Sequence, residues 1–209
     1  SQSSEQSFRT AIASSVPLDI HGLPSRVFAV DGWVRTEAGF DQALANTVTP
    51  GYFAVMGIPL VAGEDFVALD DATAPAQAIV NEEFVRRYLA RIEEIGRRLQ
   101  ARGRSYLIAG VARNSLYNAF GEPPTPIIYF SFRDGPPRVG EIHLRTRAGQ
   151  DTAVASAVRL TVRDLDAELP VYNVRTLSTH VETNLLFRRI PARMFTVLGP
   201  MLLMLAAIG

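Results

Sequence analysis

The sequence predicts a mixed α+β or α/β fold, and three observations carry the prediction. Short runs rich in Val, Ile, Phe and Tyr are punctuated by Pro and Gly, the pattern of strands joined by turns. Some of these runs lead into segments whose apolar residues recur at helical spacing. The block from Val139 to Val174 reads strand–helix–strand, so the two kinds of element are interleaved.

In chain order, Arg26–Val34 (RVFAVDGWV) and Leu44–Thr49 read as strands. Pro50-Gly51 breaks the chain before a helical turn, Tyr52–Met56, which Gly57 stops. Ile58–Val61 reads as a short strand and 64–75 as an acidic loop. Ala78-Ile79-Val80 reads as a buried strand running into Asn81, a good N-cap, with Glu82 and Glu83 where the helix dipole favours acids. Phe84, Val85, Tyr88 and Leu89 give the ensuing helix one apolar stripe. Ile95–Leu99 and Tyr106–Val111 are expected strands, and Pro123, Pro124 and Pro126 mark a loop before the β-rich run Ile127–Phe132. A turn at Gly135–Pro137 precedes the strand Val139–Arg147. Asp151 is placed to cap a helix in which Val154, Val158, Thr161 or Val162, and Leu165 align. Val171–Val174 reads as a strand after Pro170, and Thr176 caps a last helix running towards Phe187.

The two ends differ. Ser1–Ser15 holds one Arg, one Glu and no sustained apolar run, so it does not read as a secretory signal. Met194–Gly209 runs 16 residues without a charge. A bilayer span needs roughly 20 apolar residues, and this run reads as the start of a transmembrane helix. Arg188, Arg189 and Arg193 stand just before it, and by the positive-inside tendency they point to a cytoplasmic domain.

Composition removes whole chemistries. The 209 residues carry 21 basic and 21 acidic side chains for a net charge of zero; every basic residue is Arg, and Lys and Cys are absent. There is no lysine for a P-loop or a Schiff base, and no thiolate, disulfide or Cys-type zinc site. Zero net charge argues against a nucleic-acid partner.

Candidate chemistry is sparse. Glu64, Asp65, Asp70 and Asp71 cluster in sequence but lack the spacing of a calcium loop; a solvated acidic loop is the simpler reading, a carboxylate pair for hydrolysis the alternative. His21, His143 and His180 show no ligand spacing. Ser178, Thr179 and His180 adjoin as the first turn of a capped helix and not as a triad. Arg86, Arg87, Arg91, Arg97, Arg98, Arg102 and Arg104 form the most basic stretch, interleaved with Glu82, Glu83, Glu93 and Glu94. A solvated, ion-paired face is expected there, with an anion-binding module as the alternative.

Taken together, the motifs resemble a family. Val48-Thr49-Pro50-Gly51-Tyr52-Phe53, Met56-Gly57-Ile58-Pro59-Leu60 and Gly63-Glu64-Asp65-Phe66 are similar to a run found in MacB/FtsX-type ABC transporter permeases, closest to the large-permease branch abundant in acidobacteria. Ile79-Val80-Asn81-Glu82, Arg86-Arg87-Tyr88, Ile95-Gly96-Arg97-Arg98-Leu99, Gly121-Glu122-Pro123-Pro124, Ile128-Tyr129, Leu169-Pro170-Val171-Tyr172 and Val174-Arg175-Thr176-Leu177 continue the series in order. Two departures are local: Glu64 stands where the family commonly has Arg, and Leu89–Glu94 replaces a Trp-Pro-Gly-like loop.

The resemblance implies a non-catalytic, extracytoplasmic (periplasmic) domain of an inner-membrane permease, without cofactor or metal. It implies a porter-like α/β subdomain from 1–47 and 133–187, an inserted β-rich subdomain over 48–132, and 188–209 as a stalk and the truncated start of the second transmembrane helix. The implied partners are a cytoplasmic ABC ATPase, the membrane, a periplasmic adaptor protein and a second permease copy. The residues expected to matter are structural: Pro50, Gly51, Gly57 and Gly63 at turns, and Asn81 and Thr176 as caps.

Overall fold

The computed structural model describes residues 9–19, 22–35, 39–71, 73–89, 93–117, 123–137, 139–147 and 149–183. The chain divides into two compact units, Ser1–Pro17 with His21–Arg147, and Leu18–Ile20 with Ala148–Gly209.

Among the described residues the first unit holds nine strands: β1 (Arg9–Ala13), β2 (Ser25–Val30), β3 (Asp41–Val48), β4 (Leu60–Gly63), β5 (Gln77–Asn81), β6 (Arg98–Ala101), β7 (Arg104–Ala112), β8 (Ile127–Ser131) and β9 (Glu141–Arg145). It also holds the short helices α1 (Tyr52–Met56) and α2 (Glu82–Phe84), the latter continuing as a π-helical turn over Val85–Leu89. Six strands pair in a closed circuit, β2-β6-β7-β5-β8-β3 and back to β2. The β3/β8 and β5/β7 pairs are parallel and the other four antiparallel. Closure leaves these strands no free edge.

Alternation explains the filling. Side chains on a strand point to opposite faces with period two, and each strand of the circuit sends one set inward. Phe28 and Val30, Ala43 and Ala45, Ala78 and Val80, Leu99 and Ala101, Tyr106 and Ile108, and Ile128 and Phe130 form a single buried cluster. A register shift between Ala78 and Ile79 leaves Ala109 as the extra residue of β7, so that Val111 joins the same cluster. Phe84, Tyr88 and Leu89 from α2 and its π turn complete it. Phe28 stacks edge-on against Tyr88 at 4.8 Å, an arrangement favoured by ring quadrupoles.

The opposite side chains, Val48, Ile79, Ile127 and Tyr129, build a second core with Ala11 and Ala13 of β1, Tyr52, Phe53 and Val55 of α1, Phe66 and Tyr117. Beyond β3 the sheet continues through β1 to β9. In the second unit, α3 (Asp151–Leu165) is followed by a helical segment over 177–183.

Strands dominate and helices are few, within the expected mixed class. Several expectations are corrected. Arg9–Ala13 is a strand that sequence reading passed over. The strand expected at Ile95–Leu99 is β6 at Arg98–Ala101, because Gly96 sits at φ 79, outside the β region. Val171–Val174 is not a strand. Gln150, not Asp151, occupies the N-cap of α3, with no side-chain cap bond. Of the expected α3 stripe only Val154 is buried; Leu165 is 80% exposed. No described helix is long and apolar enough to cross a membrane. The run 194–209, the arginines 188, 189 and 193, His21 and Arg91 lie outside the described residues.

Candidate functional site

The turn and cap positions singled out by sequence each have a definite place. Asn81, fully buried, ends β5 and makes four hydrogen bonds. Its Oδ1 accepts from Phe84 N (3.0 Å) and Ile127 N (2.9 Å). Its Nδ2 donates to Asn114 Oδ1 (2.9 Å) and Thr125 O (2.9 Å). An Asn amide can accept through its oxygen and donate two protons, so this side chain is saturated. Asn114 extends the lock: its Oδ1 also accepts from Glu83 N, and its N donates to Glu82 Oε2.

Pro50 and Gly51 turn the chain from β3 into α1, with Gly51 at φ 82. Asp65 holds this turn, accepting from Gly51 N (2.9 Å) through Oδ2 and from Phe66 N through Oδ1. Gly57 ends α1 at φ 72, and Arg145 Nη1 donates to Ala54 O nearby. Gly63 (φ 67) closes β4 against β7. Thr176 Oγ1 accepts from Thr179 N (3.2 Å) at the start of 177–183, and the Ser178 and Thr179 hydroxyls both bond to it.

The acidic loop is not a convergent carboxylate pair. Asp71 accepts from Thr73 N, Thr73 Oγ1 and Ala74 N. These bonds, the Thr73 hydroxyl first, hold its carboxyl below the usual range. Glu64 and Asp70 are exposed. Among the described residues no group of His, Asp and Glu is arranged to hold a metal ion. The described groove, about 290 Å³ and open, is lined by Asp31, Glu93, Ile95, Gly96, Arg97 and Arg98, none from the acidic loop.

The basic stretch is likewise dispersed. Arg86 and Arg87 both pair with the buried Glu83 carboxylate (2.6 and 3.2 Å). The Arg86 hydrogen bond is the main reason that carboxyl sits below its ordinary range. Arg104 pairs with Asp134, Arg97 donates to Glu93 O and Asp31 O, and Arg102 lies 5.2 Å over the Phe130 ring.

A tyrosine cluster escaped sequence reading. Tyr52 and Tyr117 share a 2.7 Å hydroxyl–hydroxyl hydrogen bond in the second core, and Tyr129 bonds Ser115 Oγ at 3.2 Å. Burial pushes all three phenols up; Tyr129 adds to the effect at Tyr52, where the hydrogen bond with Tyr117 opposes it, and both neighbouring tyrosines add to it at Tyr117. A raised phenol pKa in the folded state contributes stability that is present below the unfolded value, 10.0, and lost as pH rises beyond it. In an alkaline titration followed at the phenolate absorbance, these three are therefore expected to ionise only as the fold is lost. Reversible ionisation of Tyr52, Tyr117 and Tyr129 in the folded chain near pH 10 would contradict the packing.

These residues tie strands and turns together and do not assemble a reaction centre. The family model for the MacB-like periplasmic core domain matches residues 2–160. The chain belongs to this family. It is thus the periplasmic domain of a MacB-like ABC transporter permease, a class of domain that is generally non-enzymatic. Among solved structures, the periplasmic region of MacB from Actinobacillus actinomycetemcomitans is 14% identical, with a TM-score of 0.49, covering 75% of this chain and 84% of that one. The extracellular domain of the noncanonic ABC-type transporter YknZ from Gram-positive bacteria is 15% identical, TM-score 0.49, covering 80% and 100%. A domain of a permease protein from Porphyromonas gingivalis is 16% identical, TM-score 0.40, covering 83% and 96%. No curated protein matches the chain.

Proposed function

We propose that this MacB-like domain couples ATP-driven movement of the membrane helices to substrate export or to signalling through a partner. The family match over residues 2–160 carries the reading. A cytoplasmic ABC ATPase supplies the energy, a periplasmic adaptor protein receives the movement, and the permease works as a dimer in the inner membrane with this domain extracytoplasmic. The segment 48–132 is an insertion between the porter-like parts 1–47 and 133–187, and its strands share the closed circuit with β2 and β3. The segment 176–193 acts as the stalk that transmits force to the helix beginning in 194–209.

A helix breaker in the stalk tests the coupling. Thr183 ends the described helical segment, its Oγ1 bonded to Thr179 O at 2.8 Å. Proline in a helix removes the backbone bond to the residue four before and clashes with that carbonyl, at a cost of about 3 kcal/mol or more. Thr183→Pro in the intact permease is expected to abolish transport while ATP hydrolysis persists and the first unit keeps its melting temperature. Transport at the wild-type rate would remove the stalk role.

A further inference from the structure

Three arginines at one end of the sheet stand outside every ion pair described above. Arg9 opens β1 and Arg145 closes β9, and the antiparallel register sets them directly opposite each other. Opposed side chains share a face of the sheet, and like charges there are destabilising. Alternation places Arg9 on the face of Ala11 and Ala13, where α1 packs. Arg145 is held there by its bond to Ala54 O. Arg147 follows two residues on, and all three are exposed. Among the described residues no carboxylate pairs with any of them, whereas Arg86, Arg87, Arg104 and Arg133 each meet one. An opposed like-charge pair with no protein counter-ion fits a site whose anion comes from outside the chain.

We propose that Arg9, Arg145 and Arg147 form a contact for the phosphates of an anionic lipid surface. Guanidinium forks match phosphate oxygens in a bidentate way. The openness of the site decides between sources: a free phosphate is held by a cradle that surrounds it, and the described groove lies elsewhere, at Asp31 to Arg98. An exposed row at the free end of the sheet, where β9 is the last strand in the order, fits a planar array of headgroups. The inference rests on the reading of a membrane-held domain. Its test fails independently of that reading, because vesicle binding is measured on the isolated chain and topology in the cell.

The 209-residue chain is sedimented with vesicles containing phosphatidylglycerol and, in parallel, with pure phosphatidylcholine vesicles. The uncharged stretch 194–209 contributes alike to both and cancels in the difference. Stronger binding to the anionic vesicles is expected, falling with salt, with Arg9→Gln and Arg147→Gln each reducing it about fivefold. Arg9→Lys is expected to retain most of the binding. Arg86→Gln, which removes one charge from the Glu83 network, is expected to leave it unchanged. Equal binding to both vesicle types, wild-type binding by both Gln variants, or an equal loss in Arg86→Gln would overturn the proposal. Competition by millimolar inorganic phosphate at constant ionic strength would reveal a discrete phosphate site and overturn the lipid assignment.

Discussion

Asn81→Leu is expected to destabilise the first unit by about 4 kcal/mol or more, taking one to three kcal/mol for each buried polar group left unpaired. Leucine has a similar shape but satisfies none of the four bonds. Phe84 N, Ile127 N and Thr125 O would be stranded, while Asn114 Oδ1 would keep Glu83 N. The damage falls where β5 meets α2 and where β8 begins, so closure of the strand circuit and the placement of Phe84 fail together. Urea denaturation is the measurement. Asn81→Asp separates the two halves of the network: it keeps both acceptor bonds but sets a carboxylate against Asn114 Oδ1 and Thr125 O. It is expected to be destabilising too, and more so at neutral pH than at low pH. A shift below about 1 kcal/mol in Asn81→Leu would show that the network is not what holds this corner.

Gly63→Ala is expected to be of similar severity for a different reason. A Cβ at Gly63 would lie 2.1 Å from Ala109 O and 2.7 Å from Gly110 Cα, both backbone atoms that cannot swing away. At φ 67 any residue with a Cβ also meets the left-handed penalty of about 1–2 kcal/mol. The pairing of β4 with β7 must open to relieve the overlap. Gly51→Ala is the matched comparison: it shares the positive φ of 82, but nothing lies within 4 Å of its Cβ. It is expected to cost only the conformational penalty, about 1 kcal/mol. Equal melting temperatures for the two variants would contradict the close approach of β4 to β7.

Local elements were legible where one pattern dominated. The continuous apolar run Ala78–Val80 and the β-rich run Ile127–Phe132 read as strands from side chains alone, and the structure pairs β5 with β8 there. Asn81 reads as a single hydrogen bond at a helix start; three of its four bonds come from segments 33 to 46 residues away or reach into them. The closed circuit was not legible, because its parallel pairs join β3 to β8 and β5 to β7 across long stretches of chain. Period-two alternation states which face a residue takes, not which strand it meets. Asp65 reads as one acid among several, and only the fold reveals that it holds Gly51, 14 residues earlier. Tyr52 and Tyr117 lie 65 residues apart, so their shared hydrogen bond has no signal in sequence. Val171–Val174 shows the reverse error. Its β-branched and aromatic composition favours a strand, but β propensity reflects packing against a partner, and Tyr172 is 69% exposed.

The side of the membrane that this domain occupies decides between the extracytoplasmic and the cytoplasmic readings. Gly149 offers the place to ask: it sits at φ 81 with nothing within 4 Å of a Cβ, outside every strand and helix. Insertions at exposed loop positions of this kind are the ones folds tolerate. A periplasm-active reporter inserted there in the intact permease is expected to be active, with the fusion in the inner-membrane fraction. An inactive reporter in a stably expressed fusion would place the domain in the cytoplasm, as arginines 188, 189 and 193 suggest on their own, and would contradict the extracytoplasmic reading.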